Sequence, residues 1–85
     1  MELTLYTRAG CHLCEEAKAQ LQPLLREFGL TLREVDVDTN GELQARFGEE
    51  VPVLFLDARK VAKHRVDVKG FRRLLERHQA RSRTR

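Results

Sequence analysis

The chain has 85 residues, 41% of them apolar and 34% charged, with a formal net charge of +3. That length holds one small core and not two, and the balance fits a compact globule rather than a disordered chain. No apolar run approaches the ~20 residues that cross a bilayer, and Met1-Glu2-Leu3-Thr4-Leu5 lacks the basic-then-apolar pattern of a secretory signal, so a cytoplasmic protein that enters no membrane is expected.

Glu2 to Tyr6 alternates around Leu3 and Leu5 and reads as a strand. Thr7-Arg8-Ala9-Gly10 is a turn, with Gly10 permitting a tight backbone, and it leads into Cys11-His12-Leu13-Cys14. A helix then runs to about Phe28. Leu13, Ala17, Leu21, Leu24, Leu25 and Phe28 form one apolar stripe along it. Pro23 falls inside the stripe and is expected to kink the helix without ending it, and Gly29 is a good stop. Leu30 to Val37 reads as a strand burying Leu32, Val35 and Val37. Asp38-Thr39-Asn40-Gly41 is turn and cap chemistry, and Glu42 to Phe47 a short helix closed by Gly48. Val51-Pro52 opens the strand Val53-Leu54-Phe55-Leu56, whose unbroken apolar run predicts burial on both faces. Asp57-Ala58-Arg59-Lys60 turns it into a hairpin partner around Val61. Asp67 is placed to cap a last helix with Val68, Phe71, Leu74 and Leu75 facing inward.

The order βαβαββα predicts an α/β domain: a mixed four-stranded sheet flanked by helices, with the first helix crossing over between parallel strands and the last two strands forming a hairpin. Residues 1–80 are read as this domain, and 81–85 as a basic, disordered tail. Residues 71–85 carry six arginines against one glutamate. The tail offers no aromatic ring for base stacking, so a solvated helix face is expected there rather than a nucleic-acid site.

Both cysteines of the chain, Cys11 and Cys14, stand three positions apart where the first helix begins. Unpaired N–H groups and the positive end of the helix dipole favour a thiolate there, and the thiolate is the reacting form. A disulfide closing so short a loop does little for stability, which points to redox or metal chemistry instead. Structural zinc needs four ligands. There is no second cysteine pair, and His64 and His78 sit on separate elements without zinc spacing, so no metal is expected and both histidines read as surface residues. Glu15 and Glu16 suit a helix start electrostatically.

Tyr6-Thr7-Arg8-Ala9-Gly10-Cys11-His12-Leu13-Cys14 resembles the active-site segment of glutaredoxins, and Val51-Pro52 before an apolar strand and hairpin resembles their cis-proline site. The likeness spans nearly the whole chain in length and element order and is greatest to small bacterial glutaredoxin-like proteins. It implies a thioredoxin-like fold and thiol–disulfide oxidoreductase activity on protein or low-molecular-weight disulfides. Cys11 would be the nucleophile and Cys14 the resolving cysteine. By the same resemblance Tyr6 belongs to the substrate site, and Pro52 is cis, with Val51 offering backbone hydrogen bonds to a substrate chain. Arg8 takes the place of a lysine that meets a glutathione carboxylate, and it or His12, if protonated, would favour the Cys11 thiolate.

The chain also departs from the family pattern. His12 and Leu13 replace proline and tyrosine between the cysteines. The glycine pair that binds the glutathione backbone falls on Ala62 and Lys63, and the acid that meets its ammonium falls on Arg65 or its neighbours. Glutathione or a thioredoxin-type dithiol remains as the reductant, with no required cofactor. A cluster bridged by glutathione is not expected without a matched glutathione site. The protein is expected to be a monomer. The reading from another class is a non-enzymatic thioredoxin-fold module for interaction or redox sensing.

Overall fold

The computed structural model describes residues 2–83. Its elements run β1 (Leu3–Thr7), α1 (His12–Phe28), β2 (Leu32–Asp36), a 3-10 turn (Val37–Thr39), α2 (Gly41–Phe47), β3 (Val53–Leu56), β4 (Arg59–Lys63) and α3 (Val68–Arg83). The remainder of the predicted basic tail, 84–85, lies outside the described residues.

Alternation in β1 and β3 sets the layers. Leu3 pairs with Leu56 and Leu5 with Leu54 across antiparallel strands, so all four side chains share one face. That face packs on Ala17, Leu21, Leu24 and Leu25 of α1 and on Phe71 and Leu75 of α3, with Val66 beside them. The opposite face carries Val53, paired with Tyr6, and there Val37 and Phe47 close a smaller core with Leu43, Val51 and Phe55. Thus α1 and α3 cover one side of the sheet and α2 the other. The strand order is β2-β1-β3-β4, with β1 and β2 parallel across the α1 crossover and β3 antiparallel to both β1 and β4.

Three sequence expectations need correction. Strand β2 is shorter than Leu30 to Val37 and lies at a sheet edge, so Leu32 and Val35 are only half-buried; Val37 is fully buried, but in the 3-10 turn. The hairpin turn is only Asp57-Ala58, with Asp57 at φ 53, and β4 already starts at Arg59. Strand β3 buries Val53, Leu54 and Leu56, but Phe55 keeps partial exposure. Helix α1 runs through Pro23 to Phe28. Gly29 closes it in the left-handed conformation, and Leu30 N–H bonds back to the Leu25 carbonyl at 2.8 Å. At the start of α3, Asp67 accepts from Gly70 N–H through its side chain and from Phe71 N–H through its carbonyl.

Candidate functional site

Three chain segments are tied to one another near the start of α1, where the cysteines stand. The first is the turn out of β1. Gly10 sits at φ 74, a conformation that costs a side-chain-bearing residue roughly 1–2 kcal/mol, and Cys11 N–H closes the turn on the Arg8 carbonyl at 3.2 Å. Cys11 is the N-cap of α1, and its Sγ accepts the Cys14 N–H at 3.1 Å. Cys11 and Cys14 form a disulfide with their Cα atoms 5.2 Å apart, within the ordinary span for such a bond. The two sulfurs differ in access: Cys14 is 1% exposed, whereas Cys11 is half-buried. His12 is fully on the surface and Leu13 half-buried.

The second segment joins α2 to β3. The Phe47 carbonyl accepts the Glu50 and Val51 N–H groups at 2.8 and 3.1 Å, which folds 47–51 into a tight turn ahead of buried Pro52. The Val51–Pro52 peptide is cis. The Val51 N–H is bonded to the Phe47 carbonyl within this turn. Tyr6 lies beneath this turn, stacked on Phe47 with ring centroids 4.7 Å apart and edge-on to Phe55 at 5.6 Å. It therefore supports the turn from the smaller core.

The third segment follows β4. Ala62 and Lys63, which stand where the family carries glycines, are paired strand residues opposite Leu54 and Val53. The left-handed residue is His64, at φ 64. Its N–H reaches both the Pro52 carbonyl at 2.9 Å and the Glu50 carbonyl at 3.1 Å, so this loop pins the second segment. Between it and α1 lies a cavity of about 230 Å³ lined by Leu13, Glu16, Ala17, Gln20, His64, Arg65 and Val66.

Arg8 departs most from expectation. Its Nε donates to Asp38 Oδ2 at 3.1 Å and its Nη1 to the Gly48 carbonyl at 3.1 Å, while Gln44 holds the other Asp38 oxygen at 2.9 Å. The side chain read as a cation for a glutathione carboxylate makes these bonds to its own chain while staying partly exposed. Asp38, Gln44, Gly48 and Phe47 were not legible as parts of the site, since Asp38 reads as turn chemistry and Gly48 as a helix stop. Glu15 and Glu34 both pair with Lys18, holding its ammonium pKa above the ordinary value and tying α1 to the edge strand β2. Among the described residues, no group of three or more His, Cys, Asp or Glu side chains is placed to hold a metal ion. No helix among them is long and apolar enough to cross a membrane.

A four-stranded mixed sheet with a Cys-x-x-Cys pair at the start of its first helix, and a proline-bearing turn tied by Arg8 to the segment leading into that pair, defines a protein of the thioredoxin superfamily. Solved structures agree. The X-ray structure of protein XcR50 from X. campestris matches with a TM-score of 0.71 at 31% identity, covering 87% of this chain and 95% of that one. The solution structure of protein Ne2328 from Nitrosomonas europaea has a TM-score of 0.71 at 34% identity over 82% and 87% of the two chains. Fasciola hepatica thioredoxin, at 21% identity and a TM-score of 0.58 over 89% and 78%, shares the fold.

Within that superfamily, residues 2–76 match the Glutaredoxin-like domain (DUF836) family, and the chain belongs to it. Uncharacterized protein Rv0508 of Mycobacterium tuberculosis is 38% identical over 71 residues, 78% of this chain and 73% of that protein. The Dictyostelium discoideum glutaredoxin-like protein YDR286C homolog is 33% identical over 73 residues, covering 79% and 68%.

Proposed function

We propose that this protein is a thiol–disulfide oxidoreductase that reduces protein or small-molecule disulfides through Cys11 and Cys14. The observation that carries the proposal is the asymmetry of the pair: a half-buried cysteine at the helix N-cap, its sulfur facing the Cys14 N–H at 3.1 Å, and a second cysteine, 1% exposed, one turn behind it. In the reduced protein that N–H and the helix dipole favour the Cys11 thiolate. The thiolate attacks one sulfur of a substrate disulfide, forming a Cys11–substrate disulfide and expelling the other sulfur as a thiolate, which takes a proton from water. The Cys14 thiol then gives up its proton to water and attacks the Cys11 sulfur as the thiolate. The second substrate sulfur leaves, the Cys11–Cys14 disulfide forms, and two electrons have passed to the substrate. A dithiol protein or glutathione returns them. With Arg8 bonded to its own chain and side chains on Ala62 and Lys63, a protein dithiol is the favoured donor. The reading implies a cytoplasmic monomer that requires no cofactor.

The test is to trap the intermediate. Reduced Cys14→Ser protein mixed with a cystine-linked peptide dimer should retain one peptide on Cys11, seen as a mass increase that dithiothreitol removes, while wild type turns over and retains none. The same incubation with oxidised glutathione measures how far glutathione substitutes. Absence of an adduct on Cys14→Ser, together with no peptide release by wild type, sinks the enzyme reading and leaves a non-enzymatic module.

A further inference from the structure

Arg8 has a job that the resemblance does not supply. Its main chain accepts the Cys11 N–H at 3.2 Å, so it belongs to the turn that aims the nucleophile. Its side chain leaves that turn and ends on two other segments: Asp38 in the 3-10 turn and the carbonyl of Gly48, the residue that caps α2. Carbonyls at a helix C-terminus lack helical partners and carry the negative end of the dipole, so a guanidinium satisfies both needs there. Gly48 opens the tight turn that delivers Val51–Pro52. Asp38 is in turn fixed to α2 by Gln44. The result is one side chain that ties the Cys11 turn to the proline turn.

We propose that Arg8 is a positioning residue of the disulfide-exchange site, fixing the Cys11 turn relative to the Val51–Pro52 turn so that a substrate disulfide meets both; this rests on the oxidoreductase reading above. Arginine suits the role because its planar fork bonds two acceptors on different segments at once, whereas a lysine ammonium is a single point donor. The Arg8–Asp38 pair is more than one-third exposed on both sides, with 38% and 35% of the side chains accessible. Such pairs add little to global stability, so the consequence is geometric.

The experiment compares wild type with Arg8→Met, Arg8→Lys and Asp38→Ala by three readouts. These are kcat and KM for reduction of a cystine-linked peptide dimer and of bis(2-hydroxyethyl) disulfide, the pH midpoint of Cys11 alkylation, and native-state exchange of the Val51 amide. Arg8→Met and Arg8→Lys should both raise KM for the peptide about five- to tenfold and speed Val51 exchange by a similar factor. Asp38→Ala should act in the same direction but less. The small disulfide, which spans no proline turn, should lose less than the peptide does, and the alkylation midpoint should not move. Rescue by Arg8→Lys together with a shifted midpoint in Arg8→Met would make Arg8 a charge acting on the thiolate and overturn the proposal. Unchanged KM and Val51 exchange in all three variants would overturn it as well. If wild type reduces neither disulfide, the oxidoreductase reading and the catalytic part of this proposal fall together, and Val51 exchange alone decides whether the strut exists.

Discussion

Two residues in the same backbone conformation, one glycine and one not, allow a reciprocal test of the fold. Gly29 ends α1 at φ 63, and His64 leaves β4 at φ 64. A Cβ built on Gly29 meets nothing within 4 Å, so Gly29→Ala costs only what the left-handed region charges an L-residue, roughly 1–2 kcal/mol. Against this, alanine has less unfolded-state freedom to lose than glycine, which returns about 0.4–1 kcal/mol. The net loss is about 0.5–1 kcal/mol, and for a domain of this size each kcal/mol moves Tm by roughly 4–8 °C. His64→Gly runs the same arithmetic backwards, because His64 is exposed and its backbone N–H bonds to Pro52 and Glu50 survive the change.

Thermal and urea unfolding of the oxidised protein should therefore show Gly29→Ala melting about 2–8 °C below wild type and His64→Gly above it by a similar amount. The urea slope should be unchanged in both. The two sites share no hydrogen-bond partner, so the double variant should melt close to wild type. A His64→Gly protein that melts lower would refute the reasoning. It would mean that the imidazole makes contacts in the cavity beside Leu13 worth more than the backbone strain.

Glu27 is paired with Arg72 across α1 and α3, which holds its carboxyl below the ordinary value of 4.5. A depressed carboxylate stabilises the fold above its unfolded pKa, and that contribution is lost as pH falls through the folded value. Glu27→Gln should thus lower Tm at pH 7, with the gap starting to close below pH 4.5 and gone only once pH has fallen through the lower folded value, and with the gap at pH 7 narrowing in high salt. In the main core, Leu54 is 0% exposed, and Leu54→Ala should cost about 2–5 kcal/mol by leaving a cavity. Phe47→Leu keeps most of the volume of a 5% exposed ring but loses its aromatic contacts to Tyr6 and Phe55, so a smaller loss of about 1–2 kcal/mol is expected in urea melts.

Where local pattern decides structure, the sequence reads well. The α1 stripe at helical spacing buries Ala17, Leu21, Leu24 and Leu25, and the Gly29 stop and the Asp67 cap act through their immediate neighbours. Strand β2 is different. Leu32, Val35 and Val37 do not keep a period of two, because the strand ends at Asp36 and Val37 is buried by the turn that follows. The site was legible as a cysteine pair and a proline, not as an assembly. The partners of Arg8 lie 30 and 40 residues away, and no local pattern announces a bond of that range. His64 carries no sign of its left-handed backbone either, since the residue type usual there is glycine.

The arrangement separates two properties that one active site must supply. Thiolate formation at Cys11 depends on α1 itself, through the Cys14 N–H and the helix end. On the proposal made for Arg8, access to Cys11 is set by the proline turn, which Arg8 holds through Gly48 and the His64 N–H holds through Pro52 and Glu50. Neither of those two links passes through a cysteine. Changes in the loops can therefore alter which disulfides are admitted while the sulfur chemistry stays constant, and changes at the helix start can tune the chemistry without reshaping the entrance. On this view the substitutions at Ala62, Lys63 and Arg65 lie on the access side of the division. On the proposed oxidoreductase reading they bear on which thiol partner the site accepts and leave the Cys11–Cys14 pair itself unchanged.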